Sequence, residues 1–119
     1  MQRSPKEAVD ARPRQHGDSG PDTPDGLGVY LSNELLGGEL HARPRKRGDR
    51  FQPLGMAGPK KLQDFMVDSK IPRLWRDRVP LVCSPMGIAW VVGWRVADWA
   101  RVKEGEPQQL QLRFLPRGR

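Results

Sequence analysis

Few residues in this chain have the types and spacing that chemistry demands. Gly17-Asp18-Ser19-Gly20 spells the surroundings of a trypsin-like serine nucleophile. Such a serine works only where a rigid scaffold holds an oxyanion hole and a His/Asp pair within hydrogen-bond reach. Ser19 lies in a stretch with almost no bulky apolar side chains to build one, so nucleophilic catalysis is set aside. Gly55-Met56-Ala57-Gly58-Pro59-Lys60 hints at a phosphate-cradling loop, but the Walker spacing and the hydroxyl residue after the lysine are missing, and Pro59 has no N–H to offer. His16 and His41 stand without a second ligand at helical or hairpin spacing, which leaves no metal site. Cys83 is the only cysteine, so neither an intramolecular disulfide nor a multi-thiolate zinc site can form, and a reducing cytosol fits. The carboxylates are scattered singly. Asp64 and Asp68, at i and i+4 beside Lys60, Lys61 and Lys70, read as salt-bridging partners on an exposed helix face rather than as an acid/base pair.

What remains is positive charge. The chain holds 21 Lys+Arg against 14 Asp+Glu, a net charge of +7. Residues 1–28 carry four basic and five acidic side chains, whereas residues 43–78 carry eleven and four, a surplus equal to that of the whole chain. A folded surface this basic draws phosphates, either of nucleic acid or of an anionic membrane. The candidates are Arg50, Lys60, Lys61, Lys70, Arg73, Arg76 and Arg78. They fall in separate loops and helix starts, so they could converge on one face and track a phosphate backbone, with Trp75 or Phe51 offering an aromatic surface to a ribose or base. The plain alternative is a solvated surface with Trp75 and Phe51 in the core. A membrane-surface binder needs a basic amphipathic helix with a large exposed apolar face, and the apolar face of 62–66 is short. The longest apolar run, Ile88 to Val92, is far below the roughly 18–20 residues of a membrane span, and the N-terminus has no signal-peptide core. A cytoplasmic chain with no membrane partner is expected.

The elements that must position these residues fit one small domain in 119 residues. Residues 1–28 interleave Pro5, Pro13, Pro21 and Pro24 with Gly17, Gly20, Gly26 and Gly28, and read as a disordered lead or linker that buries too little surface to offset its ordering entropy. Val29-Tyr30-Leu31 and Leu40 to Arg43 read as short strands separated by a turn at Gly37 and Gly38, and 45–58 as a loop anchored by Phe51, Leu54 and Met56. Pro59 is placed to open a helix, with Leu62, Phe65 and Met66 at i, i+3 and i+4 on its apolar face and Lys60 and Lys61 on its polar one. Pro72 precedes a short helical turn in R-L-W-R-D-R. Val79–Cys83 and Ile88–Val92 form a hairpin around Ser84-Pro85-Met86-Gly87, and Leu110, Leu112 and Phe114 alternate with Gln111 and Arg113 in a last strand. The order implies an α+β domain over 29–115 with a mostly antiparallel or mixed sheet and one to two helices, followed by a basic tail at 116–119.

Four ordered blocks then carry a family resemblance: R-P-R-K-R-G-D-R-F-Q-P-L-G-M (43–56), K-K-L-Q-D-F-M-V-D-S-K-I-P (60–72), R-D-R-V-P-L-V (76–82) and W-V-V-G-W-R-V (90–96). With V-Y-L-S-N-E-L-L-G-G-E-L-H before them, they resemble the C-terminal domain of bacterial tRNA(Ile)-lysidine synthetase over about residues 29–115. The resemblance implies a small α+β module, similar to a domain of the phenylalanyl-tRNA synthetase β chain, that grips a tRNA acceptor stem. It also implies that the chemistry lies elsewhere: adenylation of the wobble cytidine with ATP and Mg²⁺, and displacement of AMP by lysine, belong to an N-terminal domain with an S-G-G-x-D-S loop, and no such string occurs here. No cofactor is expected in this chain, and a separate catalytic synthetase domain is an expected partner besides tRNA. The implied RNA contacts are Arg50, Lys60, Lys61, Lys70 and Arg73, with Arg76 and Arg78 of the R-D-R block as further candidates that could instead pair with Asp77 or Asp49. Proteins of that family are several times longer, so the chain reads as a fragment or remnant of a longer synthetase, or as a free-standing module acting in trans.

Overall fold

The computed structural model of the protein describes residues 7–13, 28–32, 39–105 and 109–116. Its strands are β1 (Glu7–Pro13), β2 (Gly28–Ser32), β3 (His41–Arg43), β4 (Arg50–Phe51), β5 (Lys60–Lys61), β6 (Leu81–Ser84), β7 (Gly87–Val91), β8 (Arg95–Val96) and β9 (Gln109–Pro116). Among the described residues one α-helix, α1 (Leu62–Asp68), follows β5, and 3-10 turns occupy Arg73–Trp75 and Asp98–Ala100. Every pairing is antiparallel, in a three-stranded sheet β1-β9-β2, a four-stranded sheet β3-β6-β7-β8 and a two-stranded ribbon β4-β5. This is the expected α+β architecture.

The alternation in β9 sets Leu112 and Phe114 into the core, and β9 pairs on both sides, with Val29 opposite Leu112 in β2. On its other side runs β1, in register from Glu7↔Pro116 to Pro13↔Leu110. The expectation of an irregular lead over 1–28 is therefore corrected for Glu7–Pro13. An edge strand is held by ladder hydrogen bonds to its neighbour and needs no continuous apolar face, so E-A-V-D-A-R-P carries little hydrophobic signal. Gly28, the last residue of that lead, opens β2; the rest of the lead, the expected turn at Gly37 and Gly38, and the tail beyond Pro116 lie outside the described residues. The two short strands read on either side of that turn belong to different sheets.

The central hairpin follows its expected outline, with Pro85 and Met86 as the loop and the Met86 N–H donating to Ser84 Oγ at 3.0 Å. Its register shifts between Val82↔Trp90 and Cys83↔Ile88, so Ala89 is the extra residue of a bulge. The Ala89 carbonyl accepts from Ala97 N–H at 2.8 Å, which fastens the segment after β8. Trp90, Leu81, Val82, Val91, Leu31, Leu62, Met66, Ile71 and Leu112 are fully buried and form the core.

Helix α1 starts later than Pro59. Lys60 and Lys61 pair with Phe51 and Arg50 in the ribbon, and the first helical N–H, that of Leu62, donates to the Asp49 carbonyl at 2.9 Å. Phe51 supplies the reason: it is 2% exposed and meets Phe65 edge-on with ring centroids 5.0 Å apart, so burying it draws β4, and β5 with it, onto α1. Of the three apolar anchors expected in the 45–58 loop, only Phe51 is buried, while Leu54 and Met56 stay exposed. The helix ends in a Schellman arrangement, Lys70 N–H to Val67 O and Ile71 N–H to Met66 O at 3.0 Å each, with Ile71 packed into the core. That motif needs a left-handed residue, and here it is Lys70, at φ 61°.

Candidate nucleic-acid interface

Strands alternate faces with period two, and that decides which cations can act together. In the β4-β5 ribbon, Phe51 and Lys60 are cross-strand partners on one face, and Arg50 and Lys61 on the other. Phe51 faces the core, so the Lys60 stem runs beside it and its ammonium emerges to bond Asp68 Oδ2 at 2.6 Å. Arg50 and Lys61 are both exposed, with Cβ atoms about 5 Å apart in such a pair, an arrangement that like charges destabilise. An anion between them relieves that repulsion.

A groove of about 570 Å³ opens here, lined by Arg45, Lys46, Arg47, Arg50 and Lys61 with Asp49 and Asp77, and by Gly48, Leu62 and Gln63. Neither aspartate neutralises it. Asp77 is bonded by Arg45 Nε at 2.8 Å, and Asp49 by Arg43, which lies outside the groove, in a two-pronged contact of 2.9 and 3.0 Å. Of the five lining cations, Lys46, Arg47, Arg50 and Lys61 therefore have no carboxylate partner among the described residues.

Asp49 also shapes the loop that presents them. Its carboxylate accepts the Lys46 N–H at 2.8 Å and its own N–H donates to the Lys46 carbonyl at 3.2 Å, closing a turn whose third residue is Gly48 at φ 87°. That position takes glycine because side chains resist the left-handed region. Burial pushes the Asp49 carboxyl up, but the Arg43 guanidinium and the Lys46 N–H outweigh it and hold the group below the usual carboxylate range. Arg43 is raised in turn, chiefly by its hydrogen bonds to Asp49. Cys83, in β6 opposite His41 of β3, is buried, which pushes its thiol up and away from the thiolate form that reacts.

Residues 40–113 match the family described as TilS substrate C-terminal domain. The chain belongs to that family. Among curated relatives, the tRNA(Ile)-lysidine synthase of Dehalococcoides mccartyi is 47% identical over 88 residues, covering 74% of this chain and 19% of that protein. The tRNA(Ile)-lysidine synthase of Clostridium tetani is 40% identical over 85 residues, covering 71% and 18%. The chain thus spans about a fifth of the length of the relatives it matches. A crystal structure of a TilS C-terminal domain superposes with a TM-score of 0.71 at 26% identity, over 96% of this chain and 87% of that one.

Within this TilS C-terminal domain, only Arg50 and Lys61 of the seven expected contacts line the groove. Lys60 does not share their face, contrary to the expectation of a common helical surface. Lys70 and Arg73 are exposed on either side of the buried Ile71. Arg76 donates from Nε to the Ile71 carbonyl at 2.9 Å, and Arg78 is exposed. The anticipated pairings of these last two with Asp77 or Asp49 are not the ones formed, since Arg45 and Arg43 hold those carboxylates. Of the two aromatic candidates, Phe51 is core and Trp75 is 58% exposed. The groove residues missed as contacts, Arg45, Lys46 and Arg47, form the densest cationic run in the sequence, R-x-R-K-R, which was a signal in its own right. Among the described residues no helix is long and apolar enough to cross a membrane.

Proposed function

We infer that this domain holds tRNA for a tRNA(Ile)-lysidine synthase, seating the acceptor stem in the groove between the 45–49 turn and the β4-β5 ribbon. The observation that carries this reading is the set of four cations, with no carboxylate partner among the described residues, in one groove of a TilS C-terminal domain. Helical RNA hides its base edges in a deep, narrow groove, so such a surface reads phosphates, 2′-hydroxyls and stem shape. Arg47 and Arg50 present planar forks suited to phosphate oxygens, and Lys46 and Lys61 act as point charges beside them.

The reaction itself, ATP-dependent formation of lysidine at the wobble cytidine, is assigned to a cytoplasmic catalytic domain outside this chain. Mg²⁺ meets no ready ligand set here: Asp49, Asp68, Asp77 and Asp98 are each bonded to a separate cationic or N–H partner, and the described residues contain no group of three or more potential metal ligands. The chain alone, given ATP, lysine and tRNA(Ile), is expected to release no AMP.

The test is fluorescence anisotropy with an acceptor-stem duplex over a salt series. Four phosphate contacts give a log–log slope of about −3 to −4. Replacing Arg47 and Lys61 together by Ala brings it to about half that. A chain that ignores the duplex at low salt, or binds it with no salt dependence, refutes the reading.

A further inference from the structure

Two large apolar side chains stand out of the 3-10 turn at Arg73–Trp75: Leu74 is 85% exposed and Trp75 58%. The turn that carries them is stiff. Trp75 N–H donates to the Pro72 carbonyl at 2.9 Å, Arg78 N–H to the Trp75 carbonyl at 2.8 Å, and Arg76 Nε to the carbonyl of Ile71, which is fully buried. Backbone and core therefore fix the turn while leaving its indole in water.

The surroundings select the occupant. Lys70, Arg73, Arg76 and Arg78 flank the turn, and the acid among them, Asp77, is bonded to Arg45. Asp77 also lines the basic groove, so the platform adjoins the surface assigned above to the RNA stem. A protein covering Trp75 would desolvate the neighbouring cations, whereas a phosphate backbone complements them. A paired stem cannot offer base faces except at its ends, so the ligand is a base outside the stem.

We propose that Leu74 and Trp75 form a stacking platform for an unpaired base at the end of the stem held in the groove. The proposal rests on the RNA reading of that groove. An indole stacks on any base, so the platform recognises a single-stranded end without reading its sequence.

The experiment compares a blunt acceptor-stem duplex with the same duplex bearing unpaired 3′ nucleotides, for the wild-type chain, Trp75→Ala and Trp75→Phe. The overhang is expected to tighten wild-type binding about tenfold, the range of one base–aromatic stack. Trp75→Ala loses that gain and keeps its affinity for the blunt duplex. Trp75→Phe retains most of the gain, and both variants melt as the wild type does, since the side chain is exposed. An overhang gain that survives Trp75→Ala, no gain in the wild type, or equal weakening of both RNAs in Trp75→Ala overturns the platform and leaves the groove standing. If neither duplex binds, the groove reading falls and the platform with it. Unchanged RNA binding by Trp75→Ala, with lost association to the remainder of a synthetase, would make the turn a protein contact instead.

Discussion

Asp49→Asn sets two physical effects against each other. The Asp49 carboxylate is 8% exposed and accepts three hydrogen bonds, two from Arg43 and one from Lys46 N–H. An asparagine can turn its oxygen to one of these directions and must then aim its NH₂ at a donor in the other. With its oxygen at the Oδ2 position it keeps Arg43 Nη1 and the Lys46 N–H and faces Arg43 Nη2 with its NH₂, so one charge-assisted bond worth about 1.5–3 kcal/mol goes, the other two weaken without the carboxylate charge, and Arg43, itself 24% exposed, recovers part through water. The expected net loss is about 2–3 kcal/mol, a fall in Tm of roughly 10–20 °C for a domain of this size. For RNA binding, removing a negative charge beside the groove strengthens attraction if charge alone matters. The turn also loosens, and re-ordering even one residue's worth of backbone among Lys46, Arg47 and Gly48 costs about 1 kcal/mol, so affinity is expected to fall about fivefold. The acid limb separates the variants too. Asp49 titrates lower folded than unfolded, so its contribution is complete above the unfolded value of about 3.9 and is lost as pH falls through the depressed folded value. Wild-type stability should therefore decline more steeply below about pH 4 than that of Asp49→Asn. Denaturant melts against pH and anisotropy in conditions where both proteins are folded make the comparison. Tighter RNA binding by the variant, or a loss under about 0.5 kcal/mol, refutes the clamp.

Single substitutions in the ribbon should divide its two lysines: Lys61→Ala lowers the magnitude of the salt slope by about 0.7–0.9, whereas Lys60→Ala, whose ammonium already bonds Asp68, changes it little. Phe51→Ala should cost about 3–4 kcal/mol in chemical denaturation, because the ring is core; a stable variant that binds RNA poorly would return Phe51 to the interface. At Lys70, with φ 61°, Lys70→Val should destabilise by about 1–2 kcal/mol while Lys70→Gly melts no lower than the wild type, which thermal scans of the pair resolve.

Where side-chain periodicity and burial coincide, the chain is readable. Leu62, Phe65 and Met66 mark α1, and Leu112 and Phe114 mark β9, because one buried face imposes a period. Where pairing alone holds an element, it is not: β1 borrows its partner from a strand about a hundred residues downstream, and the two-residue β4 and β5 are too short for any period. The site follows the same division. Counting charge over 43–78 located the basic region, but grouping Lys60 with Lys61 required a helix, and the ribbon places adjacent residues on opposite faces. Asp49 and Asp77, which decide whether the groove is neutral, could be assigned partners only once loop and turn were folded together.

Three departures from local preference fall within 50–75, and they share a direction. Arg50 faces Lys61 across a ribbon where unlike charges would stabilise it. Lys70 occupies a left-handed cap where glycine fits better. Leu74 and Trp75 stand side by side in water, where they contribute nothing to the core. Each disfavours the isolated domain by a small amount, and each is relieved or put to use by a polyanion with exposed base faces. They stand beside a groove whose Lys46, Arg47, Arg50 and Lys61 have no carboxylate partner among the described residues, and the proposed RNA surface would use all of them, whereas a merely solvated basic face has need of none.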